Sequence, residues 1–222
     1  MSKTTDVIST GQDQRDAWSD VQSWIANASN AVEVCTPVAE YAQHVLTTLQ
    51  VTPKSALGAV ALHTGGILVD DGWVKILGSG CSSIEGDLLI WNGLGEQQIS
   101  VGLKGTFVVG YDVVGGFFAI NGGGITKAGL NHVFYHAPNT LEWEDCQKGY
   151  TDFLNWLFQG DLELFYEDVR WPTWRDMLHG LHPTQGFSFD PPLWEGLDIQ
   201  DRLVRIANMQ DIWQMQSSPG KP

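Results

Sequence analysis

His63, Asp70, Asp71 and Asp112 are the residues whose types could act together, because carboxylates beside an imidazole can move a proton or assist a metal ion. They stand next to glycine turns in a β-rich stretch, where one sheet edge could gather them. If they converge, they would line a pocket of roughly a few hundred Å³ and suit a hydrolase-like enzyme or a small-molecule binder. Turn formation accounts for the carboxylates equally directly. Asp70-Asp71-Gly72 has the composition of a tight hairpin, and Asp112 can cap the turn at Gly115-Gly116. No G-x-S-x-G or Cys/His nucleophile signature accompanies them, so no catalytic residue is assigned.

The other chemically suggestive spacings lead to less. His132 and His136 fall on one face of an expected strand with Cα atoms about 13 Å apart, too far for one metal ion. His179 and His182 could meet on a helix but have no third ligand nearby in sequence. Gly78-Ser79-Gly80 lacks both G-x-x-x-x-G-K-[ST] and G-x-G-x-x-G, which argues against a nucleotide cofactor. Cys35, Cys81 and Cys146 are widely spaced, odd in number and without C-x-x-C, so neither a disulfide framework nor a zinc site is expected. Metal and cofactor are both expected to be absent.

A different constellation is carried by charge. The 222 residues hold 26 Asp and Glu against 12 Lys and Arg, a formal charge of −14. Thirteen of those acids lie between Glu142 and Asp201, opposed there only by Lys148, Arg170 and Arg175. Six of the ten tryptophans lie at or after Trp143, interleaved with the acids, as in Leu141-Glu142-Trp143-Glu144-Asp145 and Phe165-Tyr166-Glu167-Asp168. Exposed rings beside carboxylates suit recognition of a basic protein, the rings supplying contact area and the acids steering. Glu142, Trp143, Glu144, Asp145, Glu167, Asp168 and Trp171 are the expected partner-binding residues, and Trp143, Trp171 and Trp174 the rings expected at the surface. The same charge opposes binding to nucleic acid phosphates and to anionic membranes.

These side chains need elements to hold them. Trp18, Val21, Ile25 and Ala28 predict a first helix, and Val38, Tyr41, Ala42, Val45, Leu46 and Leu49 predict an amphipathic second one starting after Thr36-Pro37. Ile67–Val69, Trp73–Leu77, Leu88–Trp91, Ile99–Leu103, Thr106–Tyr111, Gly116–Ile120 and His132–His136 read as strands of an antiparallel meander. Beyond Pro138 the helical period returns around Tyr150–Phe158 and Leu162–Val169, and Trp171–Leu181 adds a further helix. Pro183, Pro191 and Pro192 predict a loop, followed by a strand at Arg202–Ile206 and a helix at Met209–Met215. The expected fold is a single α+β domain over residues 15–217, a central, mostly antiparallel sheet with helices packed against it and an N-terminal helical portion. Residues 1–14 are expected to fray and 218–222 to form a flexible tail. With 43% hydrophobic and 17% charged residues the chain is not a disordered one. It lacks a run approaching a membrane span and a signal-peptide core, so a cytoplasmic location with reduced thiols is expected.

Two resemblances add to this reading. The runs A-L-H-T-G-G-I-L-V-D-D-G-W-V-K-I-L-G-S-G (Ala61–Gly80), Y-D-V-V-G-G-F-F-A-I-N-G-G (Tyr111–Gly123), L-E-W-E (Leu141–Glu144), G-Y-T-D-F-L-N-W (Gly149–Trp156) and F-Y-E-D-V-R-W (Phe165–Trp171) resemble an uncharacterised bacterial family, domain-of-unknown-function family 2625, over about Thr52 to Trp194. That family brings no activity or catalytic residues to carry over. In layout alone the chain is similar to the SUKH superfamily, through a strand ending in an acid and glycines, an aromatic strand, the E-W-E stretch and the Tyr150–Trp156 helix. Many SUKH members are immunity proteins that neutralise toxins. That likeness implies a non-enzymatic protein-binding domain, in particular an immunity protein masking a cationic toxin.

Overall fold

Among the described residues, seven strands pair strictly in chain order: β1 (Val32–Cys35), β2 (Gly66–Val69), β3 (Val74–Leu77), β4 (Thr106–Asp112), β5 (Phe117–Asn121), β6 (His132–His136) and β7 (Trp143–Gly149). Every pairing is antiparallel. The computed structural model describes residues 16–95 and 104–217. A second antiparallel pair joins β8 (Gln185–Asp190) to β9 (Leu203–Asn208). The helices are α1 (Trp18–Ala26), α2 (Ala39–Leu49), α3 (Ala56–His63), α4 (Tyr150–Gln159), α5 (Leu162–Phe165), α6 (Trp174–Leu178) and α7 (Met209–Ser217). The chain is thus a single α+β domain with an antiparallel central sheet and a helical N-terminal portion.

Alternation along the strands sends side chains to two cores. On one face Ile67, Val69, Val74, Ile76, Phe118 and Tyr135 meet Val21 of α1, Phe153, Leu157 and Phe158 of α4, and Trp171, Trp174 and Phe187. On the other, Leu77, Val108, Tyr111, Phe117 and Ala119 meet Val45 and Leu46 of α2, Leu88, Leu89 and Trp91, and Ile212 and Trp213 of α7. Both faces of the sheet are therefore covered. No described helix is long and apolar enough to cross a membrane.

The turns obey local chemistry. Asp70, Asp71 and Gly72 all adopt positive φ, and Val69 pairs with Val74 across them, the hairpin their composition predicts. Asp112 Oδ1 accepts the N–H of Val114 at 3.0 Å and of Gly116 at 2.8 Å, closing the turn between β4 and β5. Gly116 is required there, because a Cβ would collide with Asp112 Oδ2 and with the Tyr135 hydroxyl.

Several elements depart from the periodicity reading. Leu88–Trp91 is not a strand but a turn, because Asp87 Oδ1 accepts the N–H groups of Leu89 and Ile90. α3 is apolar on every side and shows no amphipathic period; its start is set by Ser55, whose Oγ accepts the Gly58 N–H at 3.1 Å. The cap residue of α2 is Val38, not Thr36, and makes no side-chain cap bond. The proline-bounded loop contains β8, which pairs fully with the expected strand at β9. Of the two edge strands, β7 carries too many polar residues to alternate clearly, and β1 alternates but over only four residues. Trp171 and Trp174 are 7% and 4% exposed, so both belong to the core and not to the surface, held by Trp73 and Phe187. The run Ile99–Leu103 and the tails 1–14 and 218–222 lie outside the described residues.

Candidate functional site

Carboxylates of the C-terminal half separate into a neutralised group and a free-standing one. Glu163 receives Arg175 Nη2 at 2.6 Å and Arg170 Nη1 at 3.2 Å, and these partners, Arg175 first, pull its carboxyl below the usual range. Asp190 is paired with Arg205 at 2.8 Å, and Asp145 contacts His132 Nδ1 at 3.1 Å. Glu167, Asp168, Asp198 and Asp201 instead line one concavity of about 450 Å³ with Asn139, Gln200 and the half-exposed Leu197, and no basic side chain shares the lining. A concave wall focuses the field of like charges.

Backbone staples hold this bowl open. Arg202, 7% exposed, donates from Nη1 to the carbonyls of Pro191 (2.7 Å) and Pro192, and from Nη2 to those of Leu193 (3.2 Å) and Leu197 (2.7 Å). One guanidinium thus gathers the irregular segment between β8 and β9. Asn139 belongs to the β6–β7 turn, which is closed by the Ala137 N–H donating to the Glu142 carbonyl at 3.0 Å. Glu142 therefore sits on a turn that borders the bowl.

Of the residues singled out for partner binding, Glu142, Glu144, Asp145, Glu167 and Asp168 are exposed. Trp143 is half-buried with its ring 5.1 Å from that of His136, and Trp171 is buried against Phe187 and Phe189. Asp198, Asp201 and Leu197 complete the bowl without having been singled out. The signal was present in the acidic interval, but only the fold shows which acids share a concavity.

His63, the Asp70–Asp71 pair and Asp112 are held by different partners, with Arg175 reaching both Asp70 (3.7 Å) and Asp71. His63 Nε2 meets Asp16 Oδ2 at 2.6 Å and its ring stacks on Trp18. Asp70 accepts from Arg170, whose guanidinium carbon lies 4.2, 4.7 and 5.0 Å from the ring centres of Trp174, Trp73 and Tyr166. Asp71 is exposed, 3.8 Å from Arg175 Nε, beside a hollow lined by Ala31, Val32, Glu33, Leu68, Gly72 and His179 that takes in none of the other three. Asp112 is fully buried, where desolvation raises its pKa against the bonds from Tyr135 (2.7 Å), Gly116 and Val114 that favour the carboxylate.

The sheet also aligns a row that periodicity does not single out. Registers of adjacent strands set Glu33, Leu68, Lys75, Tyr111, Phe117, His136 and Trp143 side by side across all seven strands. Lys75 is 5% exposed and donates to the Pro183 carbonyl at 3.0 Å; burial lowers its pKa to about 8. A lone cation within Trp73–Leu77 was the available signal. His136 packs against Trp143 and Trp213, and burial lowers its pKa as well. Among the described residues no group of three or more His, Cys, Asp or Glu is placed to hold a metal ion.

A family model described as "Protein of unknown function DUF2625" matches residues 9–212. The chain is 36% identical over 200 residues to the uncharacterized protein YbfG of Escherichia coli (strain K12), covering 90% of each. It is also 36% identical over 198 residues to an uncharacterized protein of Haemophilus influenzae, covering 89% of this chain and 84% of that one.

Proposed function

We propose that this chain, which belongs to the DUF2625 family, is a non-enzymatic binding protein that presents an acidic concavity to a basic protein partner. The observation that carries the reading is the bowl of Glu167, Asp168, Asp198 and Asp201 without a cation in its lining. Leu197 at its rim, 50% exposed, and the neighbouring Glu142 turn extend it into a surface with apolar and charged parts. A charge of −14 adds long-range steering, which typically raises association rates by roughly 10 to 10³-fold and fades with salt.

The finer form of the reading is an immunity protein acting in the cytoplasm, whose partner is a cationic toxin, a class suggested by the SUKH-like layout and by charge complementarity. Catalysis through His63, Asp70, Asp71 and Asp112 is not part of it, because His63 is engaged by Asp16, Asp112 by Tyr135 and its own turn, and Asp70 and Asp71 by Arg170 and Arg175.

The test is capture on the immobilised chain from lysates and secreted fractions of the host and neighbouring strains, at low and high salt. The fourfold reversal Glu167→Lys, Asp168→Lys, Asp198→Lys and Asp201→Lys runs beside it. A basic protein retained at low salt, released by high salt and absent from the reversed variant is the expected result; protection of cells expressing that protein would identify it as a toxin. Capture indifferent to the reversal, or no capture at low salt, would reject the bowl as the binding site.

A further inference from the structure

Cys35 ends β1 and is buried; Cys81 lies in the segment after β3 and is half-buried. Gly65 brings them together. Its N–H donates to the Cys35 carbonyl at 2.8 Å, and its own carbonyl accepts the Gly80 N–H at 2.8 Å, so it sits between the two cysteine-bearing segments. A Cβ at position 65 would stand 2.7 Å from that of Cys81, so the cysteine occupies the space a side chain there would fill. The two thiols thereby stand close enough to shift each other's titration.

The surroundings of the pair are unequal. The backbone of Ser83 and Ile84 and the Lys75 ammonium on β3 favour the charged form of Cys81. Cys35 faces burial and the charge of Glu33, which outweigh the opposing effect of the Ser83 side chain. Glu85, on the Cys81 segment, and Tyr111, on β4, face Lys75 and Cys81, and the buried Asp87 carboxylate lies beside Gly80.

We propose that Cys81 is a peroxide-reactive nucleophile and Cys35 its resolving thiol, together forming a reversible disulfide. The Cys81 thiolate attacks the peroxide O–O bond, giving a sulfenic acid while the alkoxide or hydroxide leaves and takes up a proton. Cys35 then loses its proton and attacks the Cys81 sulfur, expelling water as the S–S bond forms. Net, two thiols and one peroxide give a disulfide, water and an alcohol, or two waters from hydrogen peroxide. A dithiol reductant restores both thiols and becomes oxidised itself. The division of roles follows the surroundings: the nearness of Cys35 first, then the backbone of Ser83 and Ile84 and Lys75, lower the Cys81 pKa to about 6, while the same nearness and burial raise that of Cys35. Burial pushes Cys146 up to about 12, which makes it an internal control.

The experiment uses the full reduced chain and one equivalent of hydrogen peroxide at neutral pH. Peptide mapping should find Cys35 joined to Cys81, intact mass should fall by two hydrogen atoms, and a dithiol should reverse both changes. Cys81 should also take up iodoacetamide at least roughly tenfold faster than Cys146. In Cys35→Ser a cyclic diketone should trap the Cys81 sulfenic acid, and Cys81→Ser should consume peroxide at least roughly tenfold more slowly than the parent. A wild-type chain that stays fully reduced, or one whose crosslink involves Cys146, overturns the proposal without relying on the folding of either variant.

Discussion

Arg170 donates to Asp70 across 100 residues of sequence, with Trp73, Tyr166 and Trp174 packed around the guanidinium. Both residues are 8% exposed; among the described residues, without Asp70 the buried Arg170 keeps only Glu163 at 3.2 Å, and without Arg170 the buried Asp70 keeps only Arg175 at 3.7 Å. Asp70→Asn or Arg170→Met alone should cost about 3 kcal/mol or more, whereas the double variant should recover much of that. Urea unfolding of the four proteins in a double-mutant cycle reads the coupling; additive losses would show that the pair does not act as a unit.

Asp112 supplies acceptors for two backbone amides and a tyrosine hydroxyl, so Asp112→Ala should cost about 2–4 kcal/mol, and Asp112→Asn less. The folded pKa is raised above 3.8, so this group's contribution is fully present below that value and declines as pH rises through the folded pKa. Wild type minus Asn stability should accordingly shrink between pH 4 and pH 7. An unchanged difference would mean that the carboxyl titrates as it does when unfolded.

Lys75 falls from 10.5 to about 8, which corresponds to a penalty on the buried ammonium on the order of 3 kcal/mol. Both folded and unfolded chains are protonated below pH 8, so the penalty is complete there and is relieved between pH 8 and 10.5. Lys75→Met, which also loses the bond to Pro183, should be more stable than wild type at pH 7 by about 1–2 kcal/mol. The gap should narrow towards pH 10. Denaturation midpoints at the two pH values decide it, and a less stable variant at pH 7 would refute the burial penalty.

Gly65→Ala would place a methyl 2.5 Å from the Gly80 carbonyl and 2.7 Å from the Cys81 Cβ. The expected loss is about 1–3 kcal/mol, together with slower formation of the Cys35–Cys81 crosslink as the segment moves aside. Thermal melts and thiol titration of the same samples check both; unimpaired crosslinking would remove Gly65 from the positioning of the pair.

Arg202→Met would remove the donor to four carbonyls around the acidic bowl. Amide exchange across residues 191–197 should accelerate markedly while β2 and β3 remain protected. Equal exchange in the two proteins would show that the segment holds its shape without the guanidinium.

Much of the fold was legible because its signals are local. The 3.6-residue period of α2 and α4, the hairpin residues Asp70-Asp71-Gly72 and the cap at Asp112 act over a few residues. β8 and the edge strand β1 were less legible because partners distant in the chain define them, such as Ile206 for Phe187 and Leu68 for Glu33, and β7 because its residues are mostly polar. The surface rings show the same limit: Trp171 and Trp174 stand among acids in sequence, yet Trp73 and Phe187 draw them inward.

Residue order by itself determined the α+β class, the covered sheet and an excess of negative charge in the C-terminal half. Tertiary structure decided which of the described carboxylates lack an ion-pair partner, since Arg170, Arg175 and Arg205 reach Asp70, Asp71, Glu163 and Asp190, while Arg202 beneath the bowl commits its guanidinium to backbone carbonyls. It also brought the free thiols of Cys35 and Cys81 near each other and enclosed Lys75 beside them. The physical reason is range: period and turn chemistry act between near neighbours along the chain, while Coulomb attraction, desolvation and thiol contact depend on separations in space that folding alone establishes.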